Sequence, residues 1–319
     1  MKDFEFDQYL EKVVSELTKI ENGKKLIKAL VAQQDFIYWV NSDQLESIKE
    51  IKLIEGNAPQ NLDGIPIETD FHTYLDRVIN PLISSGVITD GKKLRGYDDR
   101  KVRWSGRNVT GNWFQNHHIF NLEVGPTTYQ RYSQDLHRSK TDSLKLILKG
   151  LQLYQDPYIY FSRTIGVTVI PITKNGNVYM GERAANVDSP GLLNFVAGLA
   201  TFDEALDKIN FYVDAQRELY EEMDISLKLD DSNSQFIGIS GNPFTSETDL
   251  VFVVNTDVDD VHFHNKQWSE HQRLVCLKTK TEAENLLNEG FLPQETTHSK
   301  IAYASRFALK YLVKNHFLK

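Results

Sequence analysis

The change in sequence character at residue 158 constrains the fold most. The segment 158–172 reads YIYFSRTIGVTVIPI, and its β-branched and aromatic residues are typical of a strand. Asn175-Gly176 follows, and this pair favours a tight hairpin turn into a second strand at 178–181. The predicted order is a set of strands, one strong helix near 210–223, more strands and a terminal helix. This order favours an α+β or three-layer α/β/α domain. Further predicted strands lie at 192–196, 235–239, 250–255 and 274–277.

The first 118 residues predict a mainly helical region. Apolar residues from Leu10 to Ile20 recur at helical spacing, and the pattern resumes at Leu26 and continues toward Phe36–Val40. The segment 71–84 also has a helical pattern. Residues 119–157 predict a strand and a helix that lead into the next domain and pack on it. The expected organisation is therefore 1–118, 119–157 and 158–319.

Charge and cysteine content exclude several classes of protein. The 44 acidic residues outnumber the 36 basic residues, which disfavours a nucleic-acid-binding protein. A contact between the basic run 95–107 and a phosphate group remains an alternative. The single cysteine, Cys276, excludes intrachain disulfides. No apolar run approaches the ~18 residues of a membrane span, and the first residues lack the apolar core of a signal peptide. We therefore expect a cytoplasmic protein without membrane contact.

The segment 217–222, Arg-Glu-Leu-Tyr-Glu-Glu, carries the strongest chemical signal. On a helix, Glu218, Glu221 and Glu222 stand at i, i+3 and i+4, so their carboxylates share one face. Like charges at this spacing repel one another unless they face water or hold a cation. Magnesium prefers oxygen ligands, so a metal site and a solvated charged face are the two interpretations of this helix.

This segment resembles the signature of the Nudix superfamily. In that signature five residues separate a glycine from a glutamate, and five residues separate Gly198 from Glu204 here. The second half of the signature is matched by Arg217, Glu218, Leu219, Glu221, Glu222 and Ile225. Twelve residues, where the family has seven, separate Glu204 from Arg217, so the loop before the helix is five residues longer. Asp224 stands where the family has glycine, and aspartate tolerates the left-handed conformation that ends a helix.

The resemblance implies a sandwich of mixed β-sheet between helices. It also implies hydrolysis of a nucleoside diphosphate linked to another group, such as a nucleotide sugar or ADP-ribose, with Mg²⁺ or Mn²⁺ as cofactor. The resemblance implies that Glu218, Glu221 and Glu222 are metal ligands, with Glu221 and Glu222 also catalytic, that Arg217 orients the carboxylates, that Glu204 assists the metal site and that Arg183 contacts phosphate. The general base comes from the signature helix or from a later loop, where Glu270 is favoured over Glu247.

Two other functions remain open on the sequence. A Nudix-fold module could bind a nucleotide as a sensor without hydrolysing it, while the N-terminal half contacts a partner. Diphosphate isomerisation would need a reactive cysteine, for which Cys276 on a late strand is a poor candidate. The expected partner in either case is a small nucleotide, and a homodimer is one arrangement that the sequence leaves open.

Overall fold

The computed structural model describes residues 2–20, 23–32, 37–40, 50–56, 61–62, 64–66, 70–89, 98–104, 114–116, 119–230, 232–264, 267–292, 295 and 298–318. Parts of the predicted basic run 95–107 and of the segment before Ile37 lie outside these residues. Among the described residues, no helix is long and apolar enough to cross a membrane.

The described chain contains both helices and strands. The helices are Lys2–Leu17 (α1), Gly23–Val31 (α2), Phe71–Tyr74 (α3), Asn80–Ser84 (α4, joined to α3 by a π-helical turn at Leu75–Ile79), Tyr129–His137 (α5), Lys140–Tyr154 (α6), Phe211–Met223 (α7), Lys280–Glu289 (α8) and Tyr303–Lys314 (α9). The strands are Ile37–Val40 (β1), Glu50–Glu55 (β2), Asn61–Leu62 (β3), Ile65–Pro66 (β4), Arg100–Trp104 (β5), Phe114–Asn116 (β6), Ile119–Thr128 (β7), Ile165–Ile172 (β8), Val178–Arg183 (β9), Leu192–Asn194 (β10), Val196–Leu199 (β11), Ser234–Gly241 (β12), Thr248–Asn255 (β13), His271–Leu277 (β14) and Lys300–Ile301 (β15).

A mixed sheet of nine strands forms the centre of the C-terminal half. Its order is β1-β12-β13-β8-β9-β10-β15, with β11 paired along β8 and β14 paired along β9. β13 runs parallel to β8, whereas β8 and β9 are antiparallel and meet at Ile172 and Val178. Gly176 has φ of +79° in the turn between them, so the predicted Asn-Gly hairpin is present.

Helices cover both faces of this sheet. Successive side chains of a strand point to opposite faces, and those of β13 divide accordingly. Leu250 and Phe252 belong to one buried cluster together with Leu219 of α7. Val251 belongs to a second cluster together with Phe307 of α9. The expected α/β/α sandwich with a mixed sheet is therefore the observed architecture.

The N-terminal region contains strands that the sequence analysis did not predict. Helix α2 ends at Val31, and Ile37–Val40 is not helical but forms β1, which pairs antiparallel with β12. The prediction of helix toward Val40 was wrong because Ile-Tyr-Trp-Val favours a strand once a sheet edge is available. A second sheet, with β2 and β5 on either side of β7, further shows that helices are only part of this region.

Strand β5 joins the N-terminal region to the sandwich. The Trp104 amide donates to the Arg163 carbonyl at 3.0 Å, and the Val102 amide donates to the Ala200 carbonyl at 3.0 Å. The buried Trp104 indole also donates to the Ser246 carbonyl at 3.0 Å. One continuous apolar cluster runs from α1 to the α7 face of the sheet. The predicted domain boundaries at 118 and 157 stay a prediction. The structure shows that the segments on either side of them share this apolar core.

Two predicted strands differ from the observed ones, and one observed helix was not predicted. The strand predicted at 158–172 begins only at Ile165, because residues 157–160 form a turn that buries Tyr158 and Tyr160. The strand predicted at 192–196 is divided between β10 and β11. Helix α8 was not predicted, although a capping box of Thr279 and Glu282 marks its start.

Candidate functional site

Helix α7 positions the carboxylates of the candidate site. The Asn210 side chain accepts from the amides of Tyr212 and Val213 and so caps its start. Asp224 ends the helix in the left-handed conformation, with φ of +53°. The aspartate thus ends the helix where the Nudix signature has glycine. Glu218, Glu221 and Glu222 consequently lie in the last two turns of a well-capped helix.

Glu222 is buried between strand β11 and strand β14. Its Oε1 accepts from the Ala197 amide at 3.1 Å, and its Oε2 lies 2.9 Å from His271 Nε2. This separation is short enough for an ion pair, but the orientation does not form a hydrogen bond, so Oε2 is buried without a hydrogen-bond partner. A buried carboxylate oxygen in this condition is costly unless another ligand satisfies it.

Glu218 packs directly against the backbone of Gly198. A Cβ atom at Gly198 would lie 2.1 Å from Glu218 Oε1, so the glycine makes room for this carboxylate. Burial raises the pKa of Glu218 to about 7, and the charges of Glu222 and Glu221 add to the shift, while Arg217 opposes it. A largely buried carboxyl held beside two others is the condition that a bound cation would relieve.

Arg217 lies within a network of oxygen atoms around the helix. Its guanidinium donates to Glu218 at 2.8 Å and to Thr201 Oγ1 at 3.1 Å. It also pairs with Asp214 at 2.9 Å. Asp214 accepts in turn from the Thr201 amide. This geometry suits the orienting role predicted for Arg217, because its fixed fork of donors holds Glu218 in one position.

Glu221 and Glu204 occupy more open positions. Glu221 is exposed on the face of α7 next to the buried pair. Glu204 pairs with Arg100 of β5, and 77% of its side chain is exposed. The longer loop before α7 therefore carries Glu204 to the surface beside β5, and its assistance to the metal site stays a prediction.

Glu270 and Arg183 meet at the rim of the same site. Arg183 Nη2 lies 3.8 Å from Glu270 Oε2, and Arg183 Nε donates to the Asp188 carbonyl at 2.7 Å. Burial raises the pKa of Glu270, the charges of Glu222 and Glu221 raise it further, and Arg183 opposes the shift. Glu270 therefore lies close enough to Glu222 and Glu221 to feel their charges, and 41% of its side chain is exposed to solvent.

His271 is a site residue that the sequence analysis did not assign. It is buried, and its imidazole packs against Gly181, where a Cβ would lie 2.1 Å from Nδ1. Its position beside Glu222 results from the pairing of β14 with β9, which brings His271 opposite Arg183. The adjacent Glu270 was the available signal, but the predicted strand started three residues too late.

A cavity of about 530 Å³ opens beside Gly198. Glu247, which immediately precedes β13, Asp249 of β13 and Tyr132 of α5 line it together with Arg183. Burial raises the pKa of Glu247 well above its ordinary value, and it raises the pKa of Asp249 to about 6. Of these residues, the sequence analysis singled out only Arg183 and Glu247, because the others come from separate parts of the chain.

The donor chemistry of the α7 face fits a hard divalent cation. The protein ligands of such a cation would all be carboxylate oxygens. The cation would supply a partner for Glu222 Oε2, which is buried without a hydrogen bond. Within the described residues, no group of three or more histidine, cysteine, aspartate or glutamate side chains is already arranged as a metal site. The fit therefore rests on ligand type and position, not on a preformed cage.

No protein-family model matches this sequence, and no curated protein is similar to it in sequence. Solved structures that resemble it include the MutT protein from Methanosarcina mazei Go1, with 16% identity and a TM-score of 0.32, covering 48% of this chain and 94% of that one. The Nudix domain of Shewanella oneidensis NrtR, complexed with ADP-ribose, has 13% identity and a TM-score of 0.33, covering 51% and 95%.

The Francisella tularensis bifunctional NMN adenylyltransferase/ADP-ribose pyrophosphatase, complexed with AMP and a manganese ion, has 13% identity and a TM-score of 0.34. The match covers 53% of this chain and 46% of that one, so it spans about half the length of each. These solved structures are Nudix proteins, and each match covers about half of the present chain.

Proposed function

We propose that this protein is a Mg²⁺-dependent hydrolase that cleaves the diphosphate of a nucleoside diphosphate derivative. The observation that carries the proposal is the position of Glu218 and Glu222 against the backbone of Ala197 and Gly198, two residues that line a cavity of about 530 Å³. Carboxylates held against one wall of a cavity that Arg183 also lines supply metal-ligand oxygens and a phosphate contact in one region of the molecule.

The metal would be held by Glu218, Glu221 and Glu222, and Mn²⁺ could replace Mg²⁺. When bound, the ion neutralises diphosphate oxygens and acidifies a water molecule. Arg217 holds Glu218 in place through its 2.8 Å contact. The exposed position of Glu221 leaves its carboxylate free to move toward a ligand. The cytoplasmic location and a homodimer stay predictions.

Glu270 is the proposed general base. Its raised pKa and partial exposure suit a group that takes a proton from water, and Arg183 beside it would contact a phosphate oxygen. Glu247 is the weaker candidate, because its electrostatic neighbours are Asp249, Arg183 and Asp188 and not the α7 carboxylates.

The assignment of the base predicts a specific kinetic pattern. Glu270→Gln should lower kcat by roughly 100-fold with little change in KM, because a base acts in the transition state and contributes little to substrate binding. Steady-state kinetics of full-length variants tests this expectation. If Glu247→Gln gives the kcat effect and Glu270→Gln leaves kcat unchanged, the base has been assigned to the wrong residue.

Two alternatives predict different outcomes at the same site. A sensor module would bind the nucleotide without turnover. An isomerase would need a reactive thiolate, but burial raises the pKa of the Cys276 thiol, which lies in a second cavity with Tyr179 and Trp268. A raised thiol pKa disfavours that chemistry.

A substrate panel tests the proposed function. We expect the full chain to release phosphate-containing products from at least one nucleotide sugar, ADP-ribose or dinucleoside polyphosphate. Turnover should require Mg²⁺ or Mn²⁺ and should stop on addition of a chelator, because the carboxylates act through the cation. Tight nucleotide binding with no turnover across the panel would instead support the sensor module.

A further inference from the structure

The proposed chemistry gives no role to His271, although this residue is the buried neighbour of a metal ligand. Both His271 and Glu222 are buried. His271 Nε2 lies 2.9 Å from Glu222 Oε2, which is the separation of a hydrogen bond. The two atoms are not aligned for one, and neither has a hydrogen-bond partner in the described part of the chain. A buried polar pair this close lacks only the right orientation.

A glycine on the neighbouring strand makes room for the imidazole. Strand β14 pairs antiparallel with β9, which places His271 opposite Arg183 and its ring against Gly181. A Cβ atom at position 181 would lie 2.1 Å from Nδ1 and 2.4 Å from Cε1 and Cγ of the ring. Gly198 provides the same kind of space for Glu218. Close packing against the sheet therefore fixes the position of the ring.

The surroundings of the ring decide which nitrogen carries the proton. Nδ1 lies against Gly181 and has no hydrogen-bond partner among the residues that the structure describes. A proton on Nδ1 would therefore bury a donor without an acceptor, which is costly. A proton on Nε2 instead places the donor beside Glu222 Oε2. A neutral imidazole protonated on Nε2 is the form of His271 that fits this environment.

Such a donor gives the Glu222 carboxylate a second point of attachment. Its Oε1 already accepts from the Ala197 amide at 3.1 Å. The terminal torsions of glutamate and histidine are broad, so a small rotation of either side chain directs the Nε2–H at Oε2. A carboxylate oxygen has two lone pairs, so Oε2 can accept this hydrogen bond and bind a cation as well. Hydrogen bonds to ligating carboxylates orient them for the metal.

We propose that His271 is a positioning residue of the metal site and holds the Glu222 carboxylate in the orientation that binds the divalent cation. This inference rests on the metal ligands of the proposed function. His271 acts through Glu222 and not as a ligand itself, because its Nε2 lies beside that carboxylate and its Nδ1 lies against Gly181. The affinity of the site for metal then depends on a side chain that does not touch the metal.

Titration of the metal-free full chain with Mn²⁺, without substrate, tests the inference. The electron paramagnetic resonance signal of free Mn²⁺ measures binding. His271→Gln and His271→Asn introduce the same amide, but only the longer glutamine places its nitrogen near the position of Nε2. We expect His271→Asn to weaken Mn²⁺ binding about 10-fold, the usual scale for a hydrogen-bond partner of a metal ligand, and His271→Gln to stay within about 3-fold of the wild type.

A double-mutant cycle separates positioning from other roles of His271. Glu222→Gln removes the carboxylate that His271 positions, so adding His271→Asn to it should change the remaining Mn²⁺ affinity less than about 2-fold. A merely structural role, or direct ligation by His271, would give the same loss in both backgrounds. His264→Asn is the matched control, because His264 is exposed on the segment before β14, and it should leave Mn²⁺ binding unchanged.

A second variant keeps the test decisive if His271→Asn does not fold. Gly181→Ala keeps the imidazole but displaces it, because the added Cβ would collide with the ring. It should weaken Mn²⁺ binding about 3-fold or more in the wild-type background and less than about 2-fold in Glu222→Gln. The inference is overturned if the foldable variant binds Mn²⁺ as the wild type does, if it weakens binding equally in both backgrounds, or if His271→Gln loses as much affinity as His271→Asn.

The outcomes for His271 and for the proposed hydrolase are distinguishable. Mg²⁺-dependent hydrolysis by a chain whose Mn²⁺ affinity does not respond to His271→Asn refutes the positioning role and leaves the hydrolase intact. A loss of Mn²⁺ affinity that depends on Glu222, without turnover of any nucleotide in the panel, refutes the hydrolase and leaves the positioning role intact. A wild-type chain that binds no Mn²⁺ refutes both.

Discussion

Replacing Glu222 with glutamine is expected to lower kcat by roughly 100-fold or more, because the reaction would lose a metal ligand. Glutamine has the same shape, and its amide oxygen can keep the 3.1 Å contact with the Ala197 amide. The fold should therefore survive. Glu221→Gln should give a loss of the same order, with even less effect on stability because Glu221 is exposed. Steady-state kinetics at saturating Mg²⁺ measures both.

A matched control is available on α8. Glu284 is another helical glutamate, partly exposed and paired with Lys280, and Glu284→Gln should leave kcat unchanged. Excess Mn²⁺ should recover part of the activity of Glu221→Gln, since the other two carboxylates still provide oxygen ligands. Full activity in both Glu221→Gln and Glu222→Gln would refute the metal assignment.

Replacing Trp104 with alanine is expected to cost about 3–5 kcal/mol of unfolding free energy, the usual scale for deleting a buried tryptophan. Trp104 is 1% exposed. Its indole donates to Ser246 at 3.0 Å, lies edge-on to Tyr158, and has the Arg163 guanidinium 4.8 Å above its ring. Because whole proteins are stable by only about 5–15 kcal/mol, this one change removes a large share.

Urea unfolding of full-length protein measures the loss. Val261→Ala serves as the control, because Val261 is 70% exposed and its truncation should cost less than about 0.5 kcal/mol. A large loss for Trp104→Ala shows that the N-terminal region is an integral part of the folded sandwich. If the loss is below about 1 kcal/mol, β5 does not couple the two regions as the structure indicates.

Local sequence signals predicted the elements that depend on interactions between residues close together in the sequence. The helical period and the carboxylate spacing located α7, and Asn175-Gly176 located the turn between β8 and β9. Strand β1 was missed because its conformation depends on pairing with β12, about two hundred residues later in the chain. Helix α8 was missed because only Ala283 and Leu286 are buried on it, which is a weak apolar pattern.

The candidate site was predictable in its residues but less so in its geometry. Spacing on α7 placed three carboxylates on one face, yet it did not reveal that β11 and β14 bury Glu222 and leave Glu221 exposed. His271 and Asp249 escaped detection because each becomes distinctive only when the sheet brings it beside a partner. Burial of polar groups is set by tertiary packing, which a local pattern does not contain.

Hydrolysis in ¹⁸O-labelled water tests the central claim most directly. The substrate is the nucleoside diphosphate derivative that the panel identifies, and the products are analysed by mass spectrometry with Mg²⁺ present and with chelator added. The account predicts that one ¹⁸O atom enters a phosphate group of a product, and only when the metal is present, because water attacks phosphorus. Label in the sugar, or equal turnover in chelator, would contradict it.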